Sequence, residues 1–334
     1  MELEDRVRGF ACDAVGCSPD RISAVSTFEA GDRHDVFKVS FVDVAGDPRD
    51  VVVRVSTRRG AEACVEATRE ASVIERAAGV AAPMLYDVRC ESRWFDRPAM
   101  CMQFVSGQQR DLAAASPEML EQLGSLVAQV HRLPTTDLLD EEHTTSTVPA
   151  YLHGRHRATV DRVDPLRDLI PAEVRDRVDE AAKSLEERVR SSSTSDSFQT
   201  GEQLVLLHGD PGAANVIWTP EPVLIDWEYA RLGDPADEVA YLFGQVGLTT
   251  AQRHAFWHGY RRHGARRWVD EVVDRVRVWE PLTLLGSALW WLEHWALRTQ
   301  ADRAGAVDPI TPRPASYYLQ NADVRLDRLA ELQT

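Results

Sequence analysis

Asp210, Asn215 and Asp226 are the residues whose types and spacing could do chemistry together. They stand in Leu206-Leu207-His208-Gly209-Asp210-Pro211-Gly212-Ala213-Ala214-Asn215 and, a little further on, in Val223-Leu224-Ile225-Asp226-Trp227-Glu228. Two acids and an amide at this spacing suit phosphoryl transfer from a nucleotide. That chemistry needs one carboxylate to orient a hydroxyl and two oxygen ligands for magnesium. Asp210 would accept the hydroxyl proton or hold the hydroxyl in line. Asn215 and Asp226 would be the metal ligands, with the ion bridging phosphate oxygens and offsetting developing charge.

The elements needed to bring the three together are legible. Residues 204–207 form a short apolar run that reads as a buried strand ending at His208. Gly209, Pro211 and Gly212 disfavour regular structure, which leaves Asp210 on a loop. Val216-Ile217-Trp218 and Val223-Leu224-Ile225 are β-rich runs separated by Thr219-Pro220-Glu221-Pro222, a hairpin signal. A hairpin centred between Pro220 and Glu221 sets Asn215 opposite Asp226 at its open end, beside the Asp210 loop.

His208-Gly209-Asp210 with Asn215 and Asp226 resembles the catalytic block of aminoglycoside phosphotransferases and their relatives, the choline, homoserine and fructosamine kinases. Trp227 and Glu228 stand where protein kinases carry the Phe and Gly of Asp-Phe-Gly, which fits the small-molecule branch better. Gly233-Asp234-Pro235-Ala236-Asp237-Glu238-Val239-Ala240 is similar to the family's stretch entering the next helix. The resemblance runs from about residue 20 to 330. It implies an α+β, bilobal protein-kinase-like fold, with residues 1–105 a β-rich nucleotide-binding lobe and 106–334 a mostly helical lobe holding the catalytic loop and acceptor pocket. It also gives His208 a structural task beneath the loop, and makes Asp237 a brace for that loop and Asp234 a helix cap.

On the nucleotide side, the resemblance requires a strand cation for the phosphates and a helix carboxylate to fix it. Arg54, in Val51-Val52-Val53-Arg54-Val55, fits first and Lys38 second. Glu62, Glu66 and Glu70 share helical spacing, and Arg69-Glu70 best matches the family pattern. Gly31-Asp32-Arg33-His34-Asp35 occupies the phosphate-covering turn but lacks the three glycines of a protein-kinase loop. Backbone groups at Gln103 and Val105, in the hinge Met102 to Gly107, would meet the purine edge, so ATP and GTP are both admissible donors.

Composition sets outer bounds. The 334 residues carry 53 acidic against 38 basic side chains, a formal charge of −15, which argues against a nucleic-acid partner and suits a cationic acceptor or plain solubility. Only Lys38 and Lys183 are lysines, so arginine supplies nearly all the positive charge. The five cysteines lie in the first third, form no CxxC pair and read as reduced apolar residues of a cytoplasmic protein. Met-Glu-Leu-Glu-Asp is no secretory signal, no apolar run is long enough to span a membrane, and no His/Cys cluster has zinc spacing.

Helices are expected over 2–15, 61–78, 117–131, from Pro171 to just before the polar run 191–197, and near 235–246, 250–263, 270–300 and 316–332, with Pro281 bending or dividing the third of these last four. Strands are expected over 22–28, 36–44, 51–55, 84–88 and 100–105. Six of the nine tryptophans fall between Trp257 and Trp295, in the region that lines the acceptor pocket of relatives. Trp291, Glu293 and Glu228 are the acceptor-pocket candidates, with ordinary helix packing the alternative for the aromatics. The reading is a magnesium-dependent O-phosphotransferase, monomeric or homodimeric. An antibiotic is the leading acceptor, and choline, homoserine or a sugar the runner-up. A nucleotide-binding pseudokinase scaffold or a protein kinase is a more distant alternative.

Overall fold

A computed structural model describes residues 2–28, 33–135, 147–192, 195–198, 204–305, 311 and 313–332. The chain divides into two compact units, Met1–Arg110 with Ala213–Ala230, and Asp111–Gly212 with Arg231–Thr334. Gly31 and Asp32 of the expected phosphate-covering turn, and residues 193–194 of the polar run, lie outside the described residues.

The first unit opens with α1 (Leu3–Val15), then β1 (Ile22–Thr27), β2 (His34–Val42), β3 (Pro48–Ser56), α2 (Ala61–Ala77), β4 (Leu85–Arg89) and β5 (Ala99–Gln103). The strands form one antiparallel sheet in the order β1-β2-β3-β5-β4. Side chains alternate across a strand, so β3 is read two ways. Val51, Val53 and Val55 join Val7, Phe10 and Ala11 of α1 in a core with Val39, Phe95 and Cys101. Each fully buried valine or phenylalanine side chain there contributes roughly 1.5–3 kcal/mol. Val52 and Arg54 fall on the other face. On α2, Ala63, Glu70, Ala71, Ile74 and Ala77 are buried at helical spacing, whereas Glu62 and Glu66 are exposed and held by Arg58 at 2.9 and 2.8 Å.

Cys64 on α2 and Cys90 just after β4 form a disulfide, while Cys12, Cys17 and Cys101 are free. This corrects the expectation of five reduced cysteines. A separation of 26 residues carries no pairing signal until α2 is known to pack against β4.

The second unit comprises α3 (Pro117–Val130), α4 (Val148–Val160), α5 (Val163–Leu166), α6 (Ala172–Ser192), β6 (Val205–Leu207), then, after the β7 (Val216–Ile217) and β8 (Val223–Leu224) hairpin of the first unit, β9 (Arg231–Gly233), α7 (Pro235–Val246), α8 (Thr250–Tyr260), α9 (Arg266–Ala304) and α10 (Ala315–Glu331). The helix α9 is the axis, burying Trp279, Leu282, Leu285, Leu289 and Leu292, and α4, α6, α7 and α10 pack on it. It runs through Pro281 undivided. Proline lacks the N–H that would serve the carbonyl four residues back, and the Arg188 guanidinium approaches that carbonyl, Arg277, at 3.5 Å. Glycines let α3 and α8 close on each other. A Cβ at Gly124 would meet the Phe256 carbonyl at 2.0 Å, and one at Gly259 the Glu121 carbonyl at 1.8 Å.

Candidate active site

In the first unit, Arg54 gathers the nucleotide-side candidates. Its Nη1 donates to Glu70 Oε1 at 2.6 Å and its Nη2 to Asp226 Oδ1 at 3.2 Å. Period-two alternation on β3 and the buried stripe of α2 bring the first pair together. With Arg54 at 9% exposure and Glu70 at 5%, neither charge is tolerable without the other. Burial works against the Arg54 cation, but Glu70 and Asp226 outweigh it and raise its basicity. Lys38 is placed elsewhere: its Nζ pairs with Asp50 at 2.8 Å and lies 4.3 Å from the Phe104 ring centre.

Asp226 reaches Arg54 through its backbone. It is the one non-glycine residue with positive φ among the described residues, at 65°. The left-handed region costs a side chain about 1 kcal/mol or more and is held only where surrounding structure fixes it. The hairpin supplies that frame, in a register different from the one expected. Val216 pairs with Leu224 and Ile217 with Val223, and the Asn215 carbonyl accepts from Ile225 N–H at 2.9 Å. Asn215 therefore stands opposite Ile225, with Asp226 one residue beyond. The two-proline turn Thr219-Pro220-Glu221-Pro222 centres on Pro220, a one-residue shift that its sequence left undetermined.

The Glu228 carboxylate lies 3.8 Å from Arg33, and its carbonyl is 3.4 Å from Arg69 Nη2. Burial, then the neighbouring Asp226 charge, raises the pKa of Glu228. His34, the first residue of β2, sits 3.0 Å by Nδ1 from Arg54 Nη2. Arginine can only donate, so Nδ1 accepts and the ring is neutral. Burial first, then Arg54 and Arg33, lower the His34 pKa to about 3. A cavity of about 180 Å³ is lined by Arg33, His34, Arg54, Arg58, Glu70 and Glu228 among others. At the hinge, the Gln103 N–H is taken by the Met84 carbonyl at 2.8 Å.

In the second unit, His208 is fully buried and its Nδ1 accepts from Asp210 N–H at 3.2 Å. Gly209, at φ 90°, turns the chain. The brace expected of Asp237 falls on its neighbour: Glu238 Oε1 accepts from Gly209 N–H at 2.6 Å, and Oε2 from His131 Nε2 at 2.8 Å. Burial pushes the Glu238 pKa up, but the hydrogen bond from His131 and the nearby histidines hold it below the usual carboxylate range. Asp237 instead accepts from Tyr151 Oη at 2.7 Å and Arg231 Nη2 at 3.0 Å. Asp234 caps α7, accepting from Ala236 N–H at 3.0 Å, and binds the buried Arg275 and Trp279 of α9. The Asp210 carboxylate itself is held by Tyr241, whose hydroxyl donates to Oδ1 at 2.7 Å. Glu238 and Tyr241 are three apart on α7 and so share a face. That spacing was present in the sequence, though only the packing of α7 under the loop gives it meaning. Of the acceptor candidates, Trp291 contacts Tyr317 and Tyr318, while Glu293 is held in a two-pronged ion pair by Arg162 at 2.8 Å on both oxygens.

Asn215 and Asp226 flank the β7–β8 hairpin, and their residue types would fit the magnesium pattern of one or two protein oxygens plus substrate phosphates. Among the described residues no group of three or more His, Cys, Asp and Glu is disposed to hold an ion, and no helix is long and apolar enough to cross a membrane.

The model of the phosphotransferase enzyme family matches residues 26–272. No curated protein matches the chain. Solved structures with the same fold include a choline kinase from Cryptosporidium parvum (13% identity, TM-score 0.67, covering 99% of this chain and 95% of that one). An ethanolamine kinase from Plasmodium vivax gives 14%, 0.61, 93% and 83%. A thermostable mutant of aminoglycoside phosphotransferase APH(4)-Ia, in complex with AMP-PNP and hygromycin B, gives 18%, 0.59, 96% and 97%. The fold is the bilobal, protein-kinase-like α+β fold, as the resemblance implied.

Proposed function

The chain belongs to the phosphotransferase enzyme family and acts on hydroxyl groups of small molecules, and from that premise we propose how its residues divide the work. Asp210 aligns the acceptor hydroxyl and takes its proton. Tyr241 donates to Oδ1 of the Asp210 carboxylate and so fixes its orientation. Arg54, fixed by Glu70, grips the donor phosphates with a planar fork in place of a lysine point charge. Asn215 and Asp226 hold magnesium, which when bound neutralises charge on the transferring phosphoryl oxygens. The Gln103 carbonyl and Val105 N–H meet the purine edge, and the AMP-PNP seen in a structural relative supports ATP as donor.

The observation that carries this reading is Asp226. It is turned into the left-handed region so that its carboxylate meets the Arg54–Glu70 pair, on the same hairpin as Asn215. The acceptor is a small hydroxylated molecule, either an antibiotic or a metabolite such as choline, homoserine or a sugar. The engagement of Glu293 by Arg162 weakens the case for a polycationic antibiotic, since that carboxylate already has its cation. The test is acceptor-dependent ADP and GDP release, with magnesium, across aminoglycosides, macrolides, cationic peptides, choline, homoserine and sugars. Turnover that disappears in Asp210→Asn supports the assignment. Turnover that persists unchanged in that variant removes Asp210 from the chemistry.

A further inference from the structure

Three helices of the second unit converge with matching stripes. α7 contributes Tyr241 and Gln245, α9 Ser287 and Trp291, and α10 Asn321 and Arg325. Each pair is four residues apart and so shares one face of its helix. Arg325 sits at the meeting point. Its Nη2 donates to Gln245 Oε1, its Nε to Ser287 Oγ and its Nη1 to the Asn321 carbonyl, each at 2.8 Å, and its guanidinium lies 5.0 Å from the Trp291 ring centre.

Every one of these partners is neutral. Among the described residues no carboxylate stands within ion-pair distance of Arg325, and several acids of the same helices are matched elsewhere. Asp323 and Asp327 pair with Arg177, Glu280 with Arg253, and Glu293 with Arg162. A second cation is one turn away, where Arg328 Nη1 donates to the Gly244 and Gln245 carbonyls at 2.6 and 3.1 Å. Burial, together with Arg328, lowers the Arg325 pKa to about 10.

A half-buried guanidinium with only neutral partners has unbalanced charge, and its geometry matches a carboxylate or phosphate. The junction also adjoins the candidate base. Tyr241 donates to Asp210, and Tyr241 and Arg325 lie within electrostatic reach of each other.

Resting on the phosphotransferase reading above, we propose that Arg325 recognises the acceptor, and that the molecule phosphorylated here carries a carboxylate or phosphate group besides its reacting hydroxyl. The neutral ring of oxygens orients the fork, and Trp291 supports its plane. A quaternary or primary ammonium at this junction would be repelled by Arg325 and Arg328 alike.

The experiment is calorimetric titration of the full chain saturated with magnesium and AMP-PNP. The probes are matched pairs, D-glycerate against glycerol and glucose 6-phosphate against glucose, with ethanolamine as the cationic probe. The anionic member of at least one pair is expected to bind about tenfold or more tightly than its neutral partner, as charge-assisted bidentate bonds require. The carboxylate arm or the phosphate arm then tells which anion is meant. Arg325→Gln erases that preference, Arg325→Lys restores part of it, and both variants keep the nucleotide affinity of the parent, which also reports that they fold. Equal affinities within both pairs, tighter binding of ethanolamine, or a preference that survives Arg325→Gln overturns the proposal. A chain that takes up no magnesium nucleotide contradicts the phosphotransferase reading itself. One that binds nucleotide without preferring an anion contradicts this inference alone.

Discussion

Arg54 shares its guanidinium among Glu70, Asp226 and His34, and each partner fails differently. Glu70→Gln keeps the shape but leaves a buried cation short of its counter-charge. Loss of one partner of a buried pair costs about 3–5 kcal/mol, so the urea midpoint should fall clearly and nucleotide affinity with it. A midpoint within error of the parent would mean Arg54 does not depend on Glu70. Tyr241→Phe deletes one hydrogen bond to a charged group, about 1.5–3 kcal/mol, so kcat should drop roughly tenfold to a hundredfold while nucleotide affinity holds. A kcat equal to the parent's would show that Asp210 needs no such support. His34 adds a pH signature. Its folded pKa of about 3 lies below the unfolded 6.5, so its contribution is full above 6.5 and is lost as pH falls below that. Between pH 6.5 and 5 the loss should be about 1–2 kcal/mol, and His34→Gln should flatten that part of the stability curve. An unchanged slope in the variant would assign the effect to another group.

At the scale of elements, α7 does most of the positioning. Asp234 caps it, Asp237 ties it to Tyr151 and Arg231, Glu238 holds Gly209, and Tyr241 holds Asp210. Glu238→Ala would strand the Gly209 N–H and His131 Nε2, so protection of the 208–210 amides from hydrogen exchange should fall. Unaltered protection would leave the loop braced by something else. The sequence marked α7 well, because an N-cap, a first-turn proline and a terminal glycine frame an apolar stripe. It did not mark α4, whose buried side chains reduce to Val148, Leu152 and Thr159, too few to show a period. The hairpin was visible but its register was not, because two prolines leave its turn type open and only the pairing of Val216 with Leu224 settles it. Nor did Pro281 divide α9. The expectation allowed a bend or a break; the helix continues unbroken, with α4, α6, α7 and α10 packed along it.

At the scale of the whole chain, the two acids and the amide point to the reaction class through residue type and spacing alone. Both carry that information because magnesium and phosphate chemistry restrict them. The partners of those residues were less legible. His34, Glu238, Tyr241 and Arg325 acquire meaning only through tertiary neighbours, and the Cys64–Cys90 bond only through the packing of α2 on β4. Net charge is likewise a poor guide to a local site. A formal −15 suits a cationic acceptor, yet the acids near the three-helix junction already have arginine partners and the unmatched charge there is positive. Magnesium nucleotide binding tests the account most directly. AMP-PNP should be titrated into the protein with and without magnesium, beside Asp226→Ala. Binding in the parent that requires magnesium, and that weakens about a hundredfold or more in the variant, is the predicted result for a ligand shared between metal and phosphates. Equal affinity in the parent and Asp226→Ala, or affinity indifferent to magnesium, would contradict the assignment of Asp226 and the mechanism built on it.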